Sequence, residues 1–127
     1  MNRVRIITVL VLDQDAAIEF YTKKLGFELV EDKPFGETRW VTIAPPTHRD
    51  LALALELATA AEDKALVGRQ AGSHAFLGLD TSNCEGDYRR MKALGVKFLG
   101  EPHCGPWGTG VQLEDLYRNK LFLSQEP

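Results

Sequence analysis

Apolar residues run together at Ile6-Ile7-Thr8-Val9-Leu10-Val11-Leu12 and give way abruptly at Asp13-Gln14-Asp15. A short apolar run with a sharp polar exit predicts a buried strand ending in a turn. Ala17, Phe20, Tyr21 and Leu25 then recur at helical spacing, with Asp13 or Asp15 placed to cap the helix and Gly26 placed to stop it. Strands are predicted at Glu28 to Asp32, Arg39 to Ala44 and Leu51 to Ala58. The phrase then repeats. A strand at His74 to Leu79 ends at Asp80, and Tyr88, Met91 and Leu94 share one helix face that closes at Gly95. Strands follow at Lys97 to Gly100, Gly110 to Leu113 and Lys120 to Ser124. Asp13 and Asp80 stand 67 residues apart, as do Trp40 and Trp107. The economical reading is a duplicated β-α-β-β-β unit in an α+β domain over residues 1–127. Module one covers about 1–58, a linker about 59–71, with room for a short helix around Ala60 to Leu66, and module two about 72–127.

Strand alternation divides each strand into two faces. In Leu51 to Leu57 every odd position is Leu, which assigns that face to the helices, while Ala52, Ala54 and Glu56 form a face of small side chains with one carboxylate. The same division gives His74, Phe76 and Gly78 in one strand and Lys120, Phe122 and Ser124 in the last. Glu56, His74, Phe76 and Phe122 are therefore expected on a helix-free face, a mixture of polar anchors and aromatic walls suited to a small ligand. Gly105-Pro106-Trp107-Gly108-Thr109-Gly110 lacks the Lys-Ser/Thr ending of a phosphate loop and reads as a turn presenting Trp107. Trp40 is left between lining a pocket and covering the sheet.

Composition narrows the field. The chain has 127 residues, 44% hydrophobic and 26% charged, enough for one packed core. Its net charge of −3, with signs interspersed, argues against a nucleic-acid partner. Two arginines, Arg3 and Arg5, precede the first apolar run, but Asp13-Gln14-Asp15 follows it without a cleavage pattern. Nothing approaches the ~18 apolar residues of a membrane span, so a cytoplasmic protein is expected. Cys84 and Cys104 lack the paired spacing of a zinc site and are expected as reduced thiols. The adjacency of His103 and Cys104 is read as a loop feature, since no oriented base or oxyanion site accompanies it.

The opening VLVLDQDAAIEFYTKKLGFELVED, together with RWVTIAPP, LALALEL, RMKALGVKF and EPHCGPWGTGVQLED, resembles the glyoxalase / bleomycin-resistance / extradiol-dioxygenase superfamily, the vicinal oxygen chelate proteins. The resemblance spans nearly the whole chain. It implies two β-α-β-β-β modules in a U-shaped eight-stranded mixed sheet with helices on the outer face. It also implies a homodimer and a divalent metal or small molecule in the cup. The family's metal ligands map to Ile6 (or Ile7), Glu56, His74 and Phe122, of which only Glu56 and His74 carry a lone pair suited to a metal. A catalytic site needs about three protein ligands. No tight cofactor is expected, and a weak divalent site at Glu56 and His74 stands as the alternative. The family's D-P-x-G-N turn is here Asp115-Leu116-Tyr117-Arg118-Asn119, which places Tyr117 and Arg118 either toward the pocket or in solvent.

Three readings follow. The first is a protein that binds a small organic molecule in a cup lined by Glu56, His74, Phe76, Trp107 and Phe122, with Glu56 and His74 as ligand anchors or as an acid–base pair. The second is an antibiotic-sequestering protein of the bleomycin-binding kind. The third is a metal-dependent lyase or dioxygenase using Glu56 and His74. Whether the chain is an enzyme stays open, since fold does not fix function.

Overall fold

The computed structural model describes all residues from Met1 to Pro127. The chain divides into two compact units, Met1–Val67 and Gly68–Pro127. Nine strands form a four-stranded and a five-stranded sheet.

Unit 1 runs β1 (Ile6–Val11), α1 (Gln14–Glu19) continued by a π-helical turn (Phe20–Lys24), β2 (Glu28–Phe35), β3 (Thr38–Ala44), β4 (Ala52–Leu57) and the short α2 (Ala61–Lys64). The sheet order is β1-β4-β3-β2, with β1 and β4 parallel and the other pairs antiparallel. Of the two candidate caps, Asp13 is the one used: its carboxylate accepts from the Ala16 amide at 2.9 Å. Such a cap is worth about 1 kcal/mol. Asp15 is instead drawn to Arg39, at 2.8 Å. Gly26 closes the helix at φ +83°, a conformation that suits a residue without a Cβ. Val9, Val11, Val41, Ile43, Leu53 and Leu55 present one sheet face, and Ala17, Phe20, Tyr21 and Phe27 complete the core; all are buried. Gln14 fastens this packing, its buried amide donating to the carbonyls of Leu55 at 2.8 Å and Arg39 at 3.1 Å.

Unit 2 repeats the plan with β5 (Ala75–Asp80), α3 (Cys84–Ala93), β6 (Lys97–Phe98), β8 (Gly108–Glu114) and β9 (Lys120–Gln125) in the order β5-β9-β8-β6. A short additional strand, β7 (His103–Gly105), pairs with β8. First and last strands are again parallel, which is the mark of the duplication. Asn83 caps α3 by accepting from the Gly86 amide at 3.0 Å, and Gly95 stops it at φ +91°. Tyr88 and Met91 are buried as their spacing requires, whereas Leu94, at the helix end, is 46% exposed. The turn after β8 keeps the Asp and Asn of its pattern because they bind each other. Asp115 accepts from the amides of Tyr117 and Asn119 and from the Asn119 side chain, each at 2.9 Å, and Asn119 in turn accepts from the Gln70 amide. Arg118 occupies the glycine position at φ +73° and points its bulk into solvent. No helix is long and apolar enough to cross a membrane.

Candidate functional site

In unit 1 the face of the sheet away from the helix carries Ile6, Thr8 and Leu10 beside Ala52, Ala54 and Glu56, as the parallel register dictates. Thr42 pairs with Ala54, which extends this face into β3. A β-bulge at Val30 extends it into β2. Leu29 pairs with the core residue Ile43, but the next pair is Glu31 with Thr42, then Lys33 with Trp40 and Phe35 with Thr38. The extra residue switches faces, so Glu31, Lys33 and Phe35 join Thr42, Trp40 and Thr38 on the open side.

A cavity of about 650 Å³ opens there. Phe35 and Trp40 supply its aromatic walls; Arg5, Glu31, Lys33, Arg39 and Glu56 supply charge around them, with Thr38 at the hairpin. The volume lies within the usual ~300–1,000 Å³ of small-molecule sites. The Trp40 Nε1 donates to Glu31 at 3.1 Å, and the other oxygen of Glu31 pairs with Lys33 at 2.9 Å. Lys33 and then Trp40 hold the Glu31 carboxyl below the usual carboxylate range. Arg39 is neutralised by Asp32 and Asp15, each at 2.8 Å, which lowers the Asp32 pKa and raises that of Arg39. Glu56 is different: it is half-buried, and no side chain pairs with its carboxylate. Its neighbours Ala52 and Ala54 are buried. Along this face Ala54 lies in register between Thr8 and Thr42, and Glu56 stands at the end that borders the cavity.

Unit 2 holds the other residues named from the sequence. Trp107, half-exposed in the turn between β7 and β8, stands 6.0 Å from Phe122 of β9 between ring centroids. Gly110 is the floor of this pair, for a Cβ there would come within 2.5 Å of the Phe122 ring and 2.9 Å of the Trp107 ring. Phe76 is half-buried at a register shift: Ala75 pairs with Lys120 and Leu77 with Leu121. That bulge interrupts the alternation that assigns His74 and Gly78 to one face. His74 itself is exposed, in the bend before β5, with its amide donating to the Ala71 carbonyl at 3.1 Å. Cys104 contacts Thr109 at 3.0 Å.

The structure holds no group of three His, Cys, Asp or Glu side chains arranged to take a metal ion.

Residues that sequence alone did not single out are Arg5, Glu31, Lys33, Phe35, Thr38 and Arg39. The strand expected at Glu28 to Asp32 runs on to Phe35, and strict alternation from Leu29 sends Glu31 toward the core; the bulge at Val30 reverses that. The Phe35-Gly36-Glu37-Thr38 hairpin, with Gly36 at φ +63°, was the signal available.

Residues 3–121 match the model of the Glyoxalase/Bleomycin resistance protein/Dioxygenase superfamily. An uncharacterized protein of Shewanella frigidimarina (strain NCIMB 400) is 41% identical over 121 residues, 94% of this chain and 90% of that protein. Among solved structures, UcmS2 is 31% identical with a TM-score of 0.86, covering 98% of both chains. TnmS3, an antibiotic binding protein from Streptomyces sp. CB03234, is 30% identical with a TM-score of 0.82, covering 100% of this chain and 98% of its own.

Proposed function

This chain belongs to the glyoxalase/bleomycin resistance protein/dioxygenase superfamily, and from that membership we propose that it binds an aromatic small organic molecule of the antibiotic class without transforming it. The observation that carries the reading is the cavity of unit 1, whose lining combines an indole clamped by Glu31 with a partnerless carboxylate, Glu56. A fixed aromatic plane gives stacking area with little ordering cost. Glu56 then accepts from a donor group on the ligand and sets its orientation, since a polar anchor beside aromatic walls chooses one pose among many. The similarity to TnmS3, itself an antibiotic binding protein, supports the class of ligand. The Trp107–Phe122 pair is aromatic surface of the same kind and is proposed as a ligand contact of unit 2 itself, as are Phe76 on the neighbouring strand β5 and His74 in the bend before it. The protein is proposed to work as a homodimer.

The test is equilibrium dialysis of the protein against an anthracycline, a quinolone and a bithiazole antibiotic, followed by mass analysis of the recovered compound. The expected result is saturable retention of at least one, recovered unchanged, with affinity reduced about tenfold or more by Trp40→Ala, which is about 1.4 kcal/mol. Recovery of a chemically altered compound contradicts binding without turnover. Equal affinity in Trp40→Ala contradicts this cavity as the site.

A further inference from the structure

A second, smaller cavity of about 140 Å³ adjoins the first, and the two share Arg5 and Glu31. Its size suits one functional group, given the ~30 Å³ that a water takes up in the liquid. Three arginines line it, Arg3, Arg5 and Arg49. Of the charges around it, Arg49 is engaged by Glu28 at 2.8 Å and Glu31 by Lys33 at 2.9 Å. Arg3 and Arg5 make no ion pair; Asp50 is the one remaining carboxylate of the wall, so positive charge prevails. Thr42 also lines it, 1% exposed, and its buried hydroxyl has no hydrogen-bond partner. A buried hydroxyl is nearly always paired, so an orphan one at a cavity wall marks a missing acceptor.

We propose that this pocket receives a carboxylate on the ligand, which is therefore an aromatic acid: its ring lies in the larger cavity and its acid group reaches the arginines and the Thr42 hydroxyl. The proposal rests on the reading of the larger cavity as a binding site. Arginine suits the role because its planar fork matches a carboxylate with two parallel hydrogen bonds. Thr42 donates its proton to the same group. The two arginines that open the chain ahead of its first apolar strand thereby acquire a function.

The test compares 2-naphthoate with its neutral counterpart 2-naphthamide by calorimetry, in the wild-type chain and in Arg3→Gln/Thr42→Val. The naphthoate is expected to bind about tenfold or more tighter than the amide, and the ratio is expected to fall toward one in the double variant. A ratio that persists there overturns the assignment of the pocket. Equal binding of the two probes to the wild type also overturns it, while leaving the larger cavity as a binding site. Binding of neither probe overturns both. Circular dichroism of the variant confirms that it is folded, and Thr42→Val alone, which removes only the orphan hydroxyl, repeats the comparison should the double variant fail to fold.

Discussion

The Trp40 indole donates its N–H to the Glu31 carboxylate at 3.1 Å, and Glu31 is held in turn by Lys33. This chain of contacts fixes an aromatic plane at the cavity wall. Because both partners stabilise the charged form, the Glu31 carboxyl lies below the usual range. A depressed pKa contributes stability that is present above the unfolded value and lost as pH falls through the folded one. Trp40 fluorescence is therefore expected to stay constant down through the ordinary glutamate range and to change only below it. Glu31→Gln is expected to abolish that transition; a transition that survives in this variant would assign it to another group.

Gln14 sits buried at the start of α1 and ties the helix to two strands through the carbonyls of Leu55 and Arg39. Gln14→Ala leaves both carbonyls without this donor, and an unsatisfied buried group costs ~1–3 kcal/mol. Urea unfolding is expected to show a loss of that size. A loss below ~0.5 kcal/mol would mean that solvent replaces the amide.

Gly110 and Gly78 offer a matched pair. A methyl at Gly110 runs into the rings of Phe122 and Trp107, while one at Gly78 meets nothing within 4 Å. Gly110→Ala is expected to cost ~1–3 kcal/mol by overpacking and to alter the near-ultraviolet dichroism of Trp107. Gly78→Ala is expected to leave both unchanged. Equal effects would contradict the aromatic floor described for unit 2.

Arg118 adopts φ +73°, where a side chain carries a steric penalty of roughly 1–2 kcal/mol. Arg118→Gly is expected to raise stability by about 1 kcal/mol in urea unfolding, because the Asp115–Asn119 bonds that hold the turn stay intact. Destabilisation would show that the arginine itself braces the turn.

The duplicated frame was legible in the sequence because it rests on local rules: Gly26 and Gly95 stop the helices as their positions suggest, and Val9, Leu53 and Leu55 are buried as alternation requires. The site was legible in part. Glu56 falls on the open face by alternation alone, but its companions Glu31, Lys33 and Phe35 reach that face through a bulge at Val30. Period-two reasoning has no means of locating an extra residue, since it assumes that register is unbroken. The same limit applies at Phe76, where a second register shift precedes Leu77. Trp40 was ambiguous for another reason: its hydrogen-bond partner Glu31 reaches the open face only through the bulge at Val30.

The most direct test of the ligand cavity follows the two indole N–H signals of the chain, those of Trp40 and Trp107, in an ¹⁵N-labelled sample titrated with 2-naphthamide. Trp107→Phe assigns them. The expected result is a saturable shift of the Trp40 signal, strengthened or broadened as the Glu31 bond is strained by the stacked ring, and lost in a Glu56→Gln sample at the same ligand concentration. A Trp40 signal that stays fixed up to saturation of the protein would contradict the account.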